Sequence, residues 1–214
     1  MTATFMYAAC AFAGVASLSE GLRVVRYRAR RQREGFMTAF RNVVSRNRRR
    51  YGGYLTHLAV VVVALGITGS SVYGQEAVIT LAPGQSAQVG SYKLRYQGLK
   101  EEFVGNRQIF ATDVALTQGG TRVGTLDPSQ VLFPTMQQPI AGVAIRSTLG
   151  GDVYTVLQAI DTRGEVATFD VFINPLVNFI WLGGILFLFG GLVVFWPAKA
   201  RTRHKAQARR GVAA

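Results

Sequence analysis

The sequence predicts a membrane α+β protein: three transmembrane helices, with an extracytoplasmic antiparallel β domain (sandwich or small barrel) inserted between the second and third. Three observations carry that reading. The 49% of hydrophobic residues gather in long blocks while the 16% of charged residues occupy other blocks, as in chains that cross a bilayer. The arginines crowd next to those apolar blocks. Between residues 73 and 173 the pattern changes to short alternating runs of Val, Ile, Thr, Tyr and Phe broken by Gly, Pro, Asn and Asp.

The first span is assigned to residues 1–20. Phe5, Met6, Tyr7, Phe12 and Val15 stand among alanines, and no basic residue precedes them. A secretory signal carries its positive charge ahead of the apolar core, whereas here the arginines follow it, so the segment reads as an anchor with its N-terminus outside. Residues 2–18 lie at the short limit for a span, which fits a chain that begins partway through a longer helix. Cys10 is the single cysteine, so there is no disulfide framework and no Cys-x-x-Cys motif.

Residues 21–50 form a basic linker with eleven arginines and one acid, Glu34. Phe36, Met37, Phe40, Val43 and Val44 fall on one face at helical period. The linker is therefore either an amphipathic helix on the inner membrane surface or a solvated basic loop that fixes topology. The tail, residues 198–214, carries Lys199, Arg201, Arg203, Lys205, Arg209 and Arg210 without an acid. The formal charge of +13 thus lies in segments that flank apolar runs, which fits the positive-inside rule and excludes nucleic acid as the partner in favour of membrane lipid. The linker and tail are cytoplasmic on this reading, and the β domain is outside.

The second span, residues 51–72, carries His57 about one turn inside a stretch that is free of charge from Tyr54 to Val72. An ionisable ring is costly there unless something uses it, and imidazole suits iron as an axial ligand. Gly53, His57, Val60 or Val61, Ala64, Thr68 and Ser71 line one face of small side chains on which a bulky partner can lie close. The alternative is a histidine bonded to a neighbouring helix's polar group, with small residues permitting ordinary helix packing. The other histidine, His204, sits in the basic tail beside Arg203 and Lys205 and reads as solvated.

Residues 73–173 predict seven or eight strands with turns at Pro83-Gly84, Gly105-Asn106, Gly119-Gly120, Gly150-Gly151 and Thr162-Arg163-Gly164. No histidine, cysteine, nucleophile-base pairing or carboxylate pair stands out in this domain, so no catalytic residue is assigned and binding or scaffolding is its expected role. The third span, residues 174–197, opens with Asn174 as N-cap and Pro175 as first helical residue. It carries glycine doublets at 183–184 and 190–191 on one side, with Trp181 and Trp196 toward opposite ends as interfacial anchors.

Two stretches in this order resemble a known family. They are Tyr51-Gly52-Gly53-Tyr54-Leu55-Thr56-His57-Leu58 after an arginine cluster, and Ile173-Asn174-Pro175-Leu176-Val177 followed by Trp181-Leu182-Gly183-Gly184. They resemble the C-terminal part of the CcmF family, the haem lyase component of system I cytochrome c maturation. The resemblance implies that His57 is one of two axial ligands of a b-type haem, whose role is to reduce incoming haem iron before its attachment to apocytochrome thiols. It also implies partners: the tryptophan-rich N-terminal portion of the same haem lyase, which would bring the second ligand, together with a haem chaperone and apocytochrome c. The family's tryptophan-rich motif and its other histidines have no counterpart here. The chain is thus expected to be a separately encoded C-terminal subunit or a fragment of a longer gene, located in the bacterial inner membrane and not active alone. The competing reading is a non-catalytic membrane scaffold whose β domain docks cytochrome assembly factors and whose histidine is structural.

Overall fold

The computed structural model describes residues 2–134, 138–161 and 166–195. His204, Trp196 and the basic tail lie outside the described residues. Among the described residues, three helices are long and apolar enough to cross a membrane: α1 (Thr2–Gln32), α3 (Arg48–Tyr73) and α4 (Asn178–Phe195). Between the first two lies a short helix, α2 (Phe36–Arg46).

The linker expected at 21–50 is helical almost throughout. α1 continues past its apolar half to Gln32, because arginine is a good helix former and nothing between Gly21 and Gln32 interrupts the ladder. The helix stops at Arg33, whose φ of 50° is the left-handed conformation that commonly closes a helix, and the Glu34 amide donates back to Ala29 O over 3.2 Å. Of the two readings of residues 36–44, the structure has the amphipathic helix. Ala39 and Val43 of α2 pack with Val25 of α1 in a small buried cluster, while Phe36 and Met37 stay exposed. Glu34 ties the turn together. Arg28 donates to both of its carboxylate oxygens at 3.2–3.3 Å and Asn42 Nδ2 donates to one of them at 3.3 Å.

The domain between α3 and α4 is all antiparallel: β1 (Gln75–Leu81), β2 (Ser86–Val89), β3 (Tyr92–Val104), β4 (Arg107–Gln118), β5 (Thr121–Leu126), β6 (Ser129–Leu132), β7 (Ile140–Thr148), β8 (Gly151–Ile160) and β9 (Ala167–Pro175). The strand order is β1-β9-β8-β7-β6-β4-β3-β2, with β5 added to β4. β1 and β2 stand at opposite ends of that path, yet the turn at Pro83-Gly84 joins them, so the sheet curls into a nearly closed sandwich or barrel. The expected alternation is there. Along β8, Val153, Thr155 and Leu157 point into the core, and along β9 Ala167, Phe169, Val171 and Ile173 do. Tyr96 and Phe169, both fully buried, meet edge to face at 5.5 Å between centroids.

Two boundaries differ from expectation. Residues 101–104 continue β3 past an irregularity at Gly98, and the short strands β2 and β6 join the sheet, giving nine strands among the described residues. Asn174 and Pro175 end β9, paired with Asp152 and Gly151, and do not begin the third span. A side chain at Gly151 would put its Cβ 2.7 Å from Pro175 Cα, so that glycine is what lets the strand run on. α4 begins at Asn178 after a left-handed Leu176 (φ 59°). Asn178 Nδ2 donates to Thr148 O at 2.6 Å and Asp152 Oδ1 at 2.7 Å, which straps the first turn of α4 to the β7–β8 hairpin.

Candidate functional site

The position of His57 follows from how α3 is packed. One stripe of α3, namely Gly52, Thr56, Ala59, Val63 and Gly66, recurs at intervals of four and three and faces α4. A Cβ at Gly183 would lie 2.6 Å from Val63 Cγ2 and 2.9 Å from Ala59 O, and one at Gly66 would lie 2.8 Å from Ile180 N. The two backbones therefore touch, as small residues allow in membrane helices. α1 covers another side: a Cβ added at Gly14 would lie 3.7 Å from Val61 Cγ1 and one at Gly21 3.6 Å from Tyr54 Cδ2, and Tyr7 stacks on Tyr73.

His57 lies between those two contact sides and is exposed, as is Val60 beside it. Gly53, one turn earlier, has open space where a Cβ would stand, so a flat body can approach the backbone there. Ala64 is half-buried. Thr68 belongs to the same stripe but is buried, its hydroxyl donating to Ala64 O at 2.7 Å, so the open part of the face runs from Gly53 to Ala64.

Arg50, on the same stripe two turns before His57, is held in place by its neighbours. Its Nε donates to Tyr54 Oη at 2.7 Å, and its guanidinium lies 3.7 Å from Glu20, which also pairs with Arg23 at 3.3 Å. Beyond the spans, the Arg28 guanidinium hydrogen-bonded to Glu34 holds that carboxyl below its usual range. In the β domain, Asp113 bonded to Lys100 raises the ammonium, and burial pushes the Tyr96 phenol up.

No group of three or more His, Cys, Asp or Glu side chains converges among the described residues. A metal centre at His57 would therefore need ligands from outside the described residues. An exposed imidazole on an apolar helix with an open glycine beside it fits one axial side of a haem shared with a partner. Cys10 is buried against the helices and far along the chain from this face. The α4-facing stripe escaped the sequence reading, although it carries a signal: Gly52, Thr56, Ala59 and Gly66 recur on one side of α3, and α4 carries glycines at 183 and 190.

Fold and site together define a class: a membrane protein in which a β sandwich is strapped to a close-packed helix pair that presents an exposed histidine. The family described as the CcmF C-terminal beta-sandwich matches residues 72–175, and this match with the similarities below supports a C-terminal CcmF fragment. It is 29% identical over 160 residues to the cytochrome c-type biogenesis protein NrfE of Haemophilus influenzae, covering 73% of this chain and 25% of that protein. It is 26% identical over 159 residues to the cytochrome c-type biogenesis protein CcmF of Pseudomonas aeruginosa, covering 74% and 24% respectively. The solved structure of a cytochrome c heme lyase CcmF superposes with a TM-score of 0.61 at 21% identity over 91% of this chain and 34% of the other, a likeness of fold. The chain spans about a quarter of the length of these curated relatives. Three apolar spans and these bacterial relatives make it a bacterial membrane protein.

Proposed function

We propose that this chain is the C-terminal part of a membrane haem lyase for c-type cytochromes and that His57 supplies one axial ligand to a b-type haem. The second ligand comes from the tryptophan-rich N-terminal portion of the same lyase. The observation that supports this most is the exposure of His57 on a helix whose other sides are packed, with open space at Gly53 beside it. An unpartnered imidazole inside an apolar span is costly, and coordination by a neighbouring chain removes that cost.

The residues of this chain then have distinct tasks. His57 offers a ring nitrogen to iron, and the contact of Thr56 with Gly190 fixes the rotation of α3 and hence the direction in which that ring leaves the helix. Gly53 and Ala64 keep the approach clear. The bound haem would supply one-electron reduction of incoming haem iron. The β domain, strapped to α4 through Asn178, presents its outer surface to apocytochrome c and the haem chaperone on the outer side of the inner membrane. In this orientation the N-terminus lies outside and the arginine-rich linker and tail lie in the cytoplasm.

The reading is tested in cells that depend on this chain for c-type cytochromes. His57→Ala should abolish their covalent haem staining while the chain still accumulates in the membrane. Normal staining with His57→Ala would instead favour the scaffold role.

A further inference from the structure

On the basic end of the helix bundle, residues of α1, α3 and α4 surround a gap over which α2 folds. The result is an apolar cleft of about 310 Å³, walled by Leu18 and Leu22 of α1, Leu55 and Leu58 of α3, and Phe189 and Val193 of α4. The cleft also has a roof and a placed charge. Phe40 of α2 meets Tyr51 edge to face at 6.5 Å, and Tyr51 Oη donates to Gly21 O at 2.8 Å, which fixes the roof to α1. Tyr54, another wall residue, accepts a hydrogen bond from Arg50 and carries that guanidinium over its ring at 5.6 Å. A cationic group is thus held by the cleft's own wall, at its mouth, with more than half of the side chain still exposed.

We propose that this cleft is a binding site for an anionic phospholipid of the arginine-side leaflet, with one acyl chain in the cleft and the phosphate on Arg50. The lining of the cleft suits hydrocarbon, since its walls are aliphatic and aromatic side chains and Phe40 and Tyr51 close it above. A single hydrocarbon chain is thin enough to enter. The charge decides the headgroup: residues 21–50 carry eleven arginines against one acid, a polybasic segment of the kind that gathers anionic lipid at a membrane surface. Exposed Phe36 and Met37 on α2 place that helix at the depth where headgroup and acyl chain meet.

The test uses the full chain in nanodiscs of equal phosphatidylcholine and phosphatidylglycerol, released into mild detergent and weighed intact by mass spectrometry. One phosphatidylglycerol should remain per chain, favoured about tenfold over phosphatidylcholine. Leu58→Trp, which fills the cleft, should remove that lipid. Arg50→Gln should cut the preference about fivefold while leaving one lipid bound, and Arg122→Gln in the β domain should change nothing. Equal retention of both lipids by the unaltered chain would overturn the proposal. So would unchanged phosphatidylglycerol in Leu58→Trp, because the lipid would then be held elsewhere on the arginine surface, and so would the absence of any retained lipid.

Discussion

Gly190 of α4 sits directly on Thr56 of α3: a Cβ added at Gly190 would lie 2.7 Å from Thr56 Oγ1 and 3.2 Å from Gly52 O. The Thr56 hydroxyl turns back to its own helix, donating to Gly52 O at 2.9 Å, so it presents little bulk to α4. Because His57 is the next residue, this contact sets the face on which the imidazole emerges.

The glycines of α4 should therefore divide by position. Gly183→Leu and Gly190→Leu force the helices apart and should each cost about 1–3 kcal/mol, read as a lower melting temperature in detergent. Gly184 and Gly191 have open space at the Cβ position, so leucine there should leave the melting temperature nearly unchanged. Equal loss at all four positions would contradict the packing described.

Much of this arrangement was legible in the sequence. Long charge-free runs and flanking arginines define spans, and alternation with glycine turns defines strands, because both patterns follow from burial on one side of a regular backbone. What the sequence hid depends on tertiary pairing. Asn174-Pro175 has the look of a helix start, but strand pairing with Gly151 and Asp152 overrides it. β2 and β6, four residues each, are too short for a periodic signal. At the histidine face, His57 and Gly53 were visible as residue types in an apolar span. Which side α4 covers depended on glycines more than a hundred residues away.

Glu34 gives a pH-dependent prediction. Its carboxyl, held below the ordinary value of 4.5 chiefly by the Arg28 hydrogen bond, stabilises the α1–α2 turn above that pH and loses this effect as pH falls through the lower folded value. Spin labels at residues 30 and 41 should give a narrow distance distribution at neutral pH that broadens in acid. Glu34→Gln should be broad at both. A narrow distribution in that variant would mean the turn is held by the buried Val25, Ala39 and Val43 alone.

The β domain should fold without the helices. Residues 73–175 produced alone should give a β-rich circular dichroism spectrum with cooperative melting. Phe169→Ala, which removes the fully buried ring packed on Tyr96, should cost about 3–5 kcal/mol. Thr in place of the exposed Val78 should cost less than about 0.5 kcal/mol. A disordered spectrum for the excised domain would show that the strap through Asn178 is needed for folding.

Orientation follows from the arginines. A reporter active only outside the cytoplasm, fused after Gly120, should be active, and the same reporter after Arg203 should be silent. The reverse result would invert the membrane arrangement proposed.

The most direct measurement is the optical spectrum of the chain purified together with its membrane partners. The unaltered complex should carry b-type haem absorbance. His57→Ala should lose it while the chain still inserts and co-purifies, added imidazole should restore it by filling the vacated coordination position, and His204→Ala should leave it unchanged. A normal haem spectrum with normal reduction in the His57→Ala complex would contradict the ligand assignment and leave His57 as a packing residue.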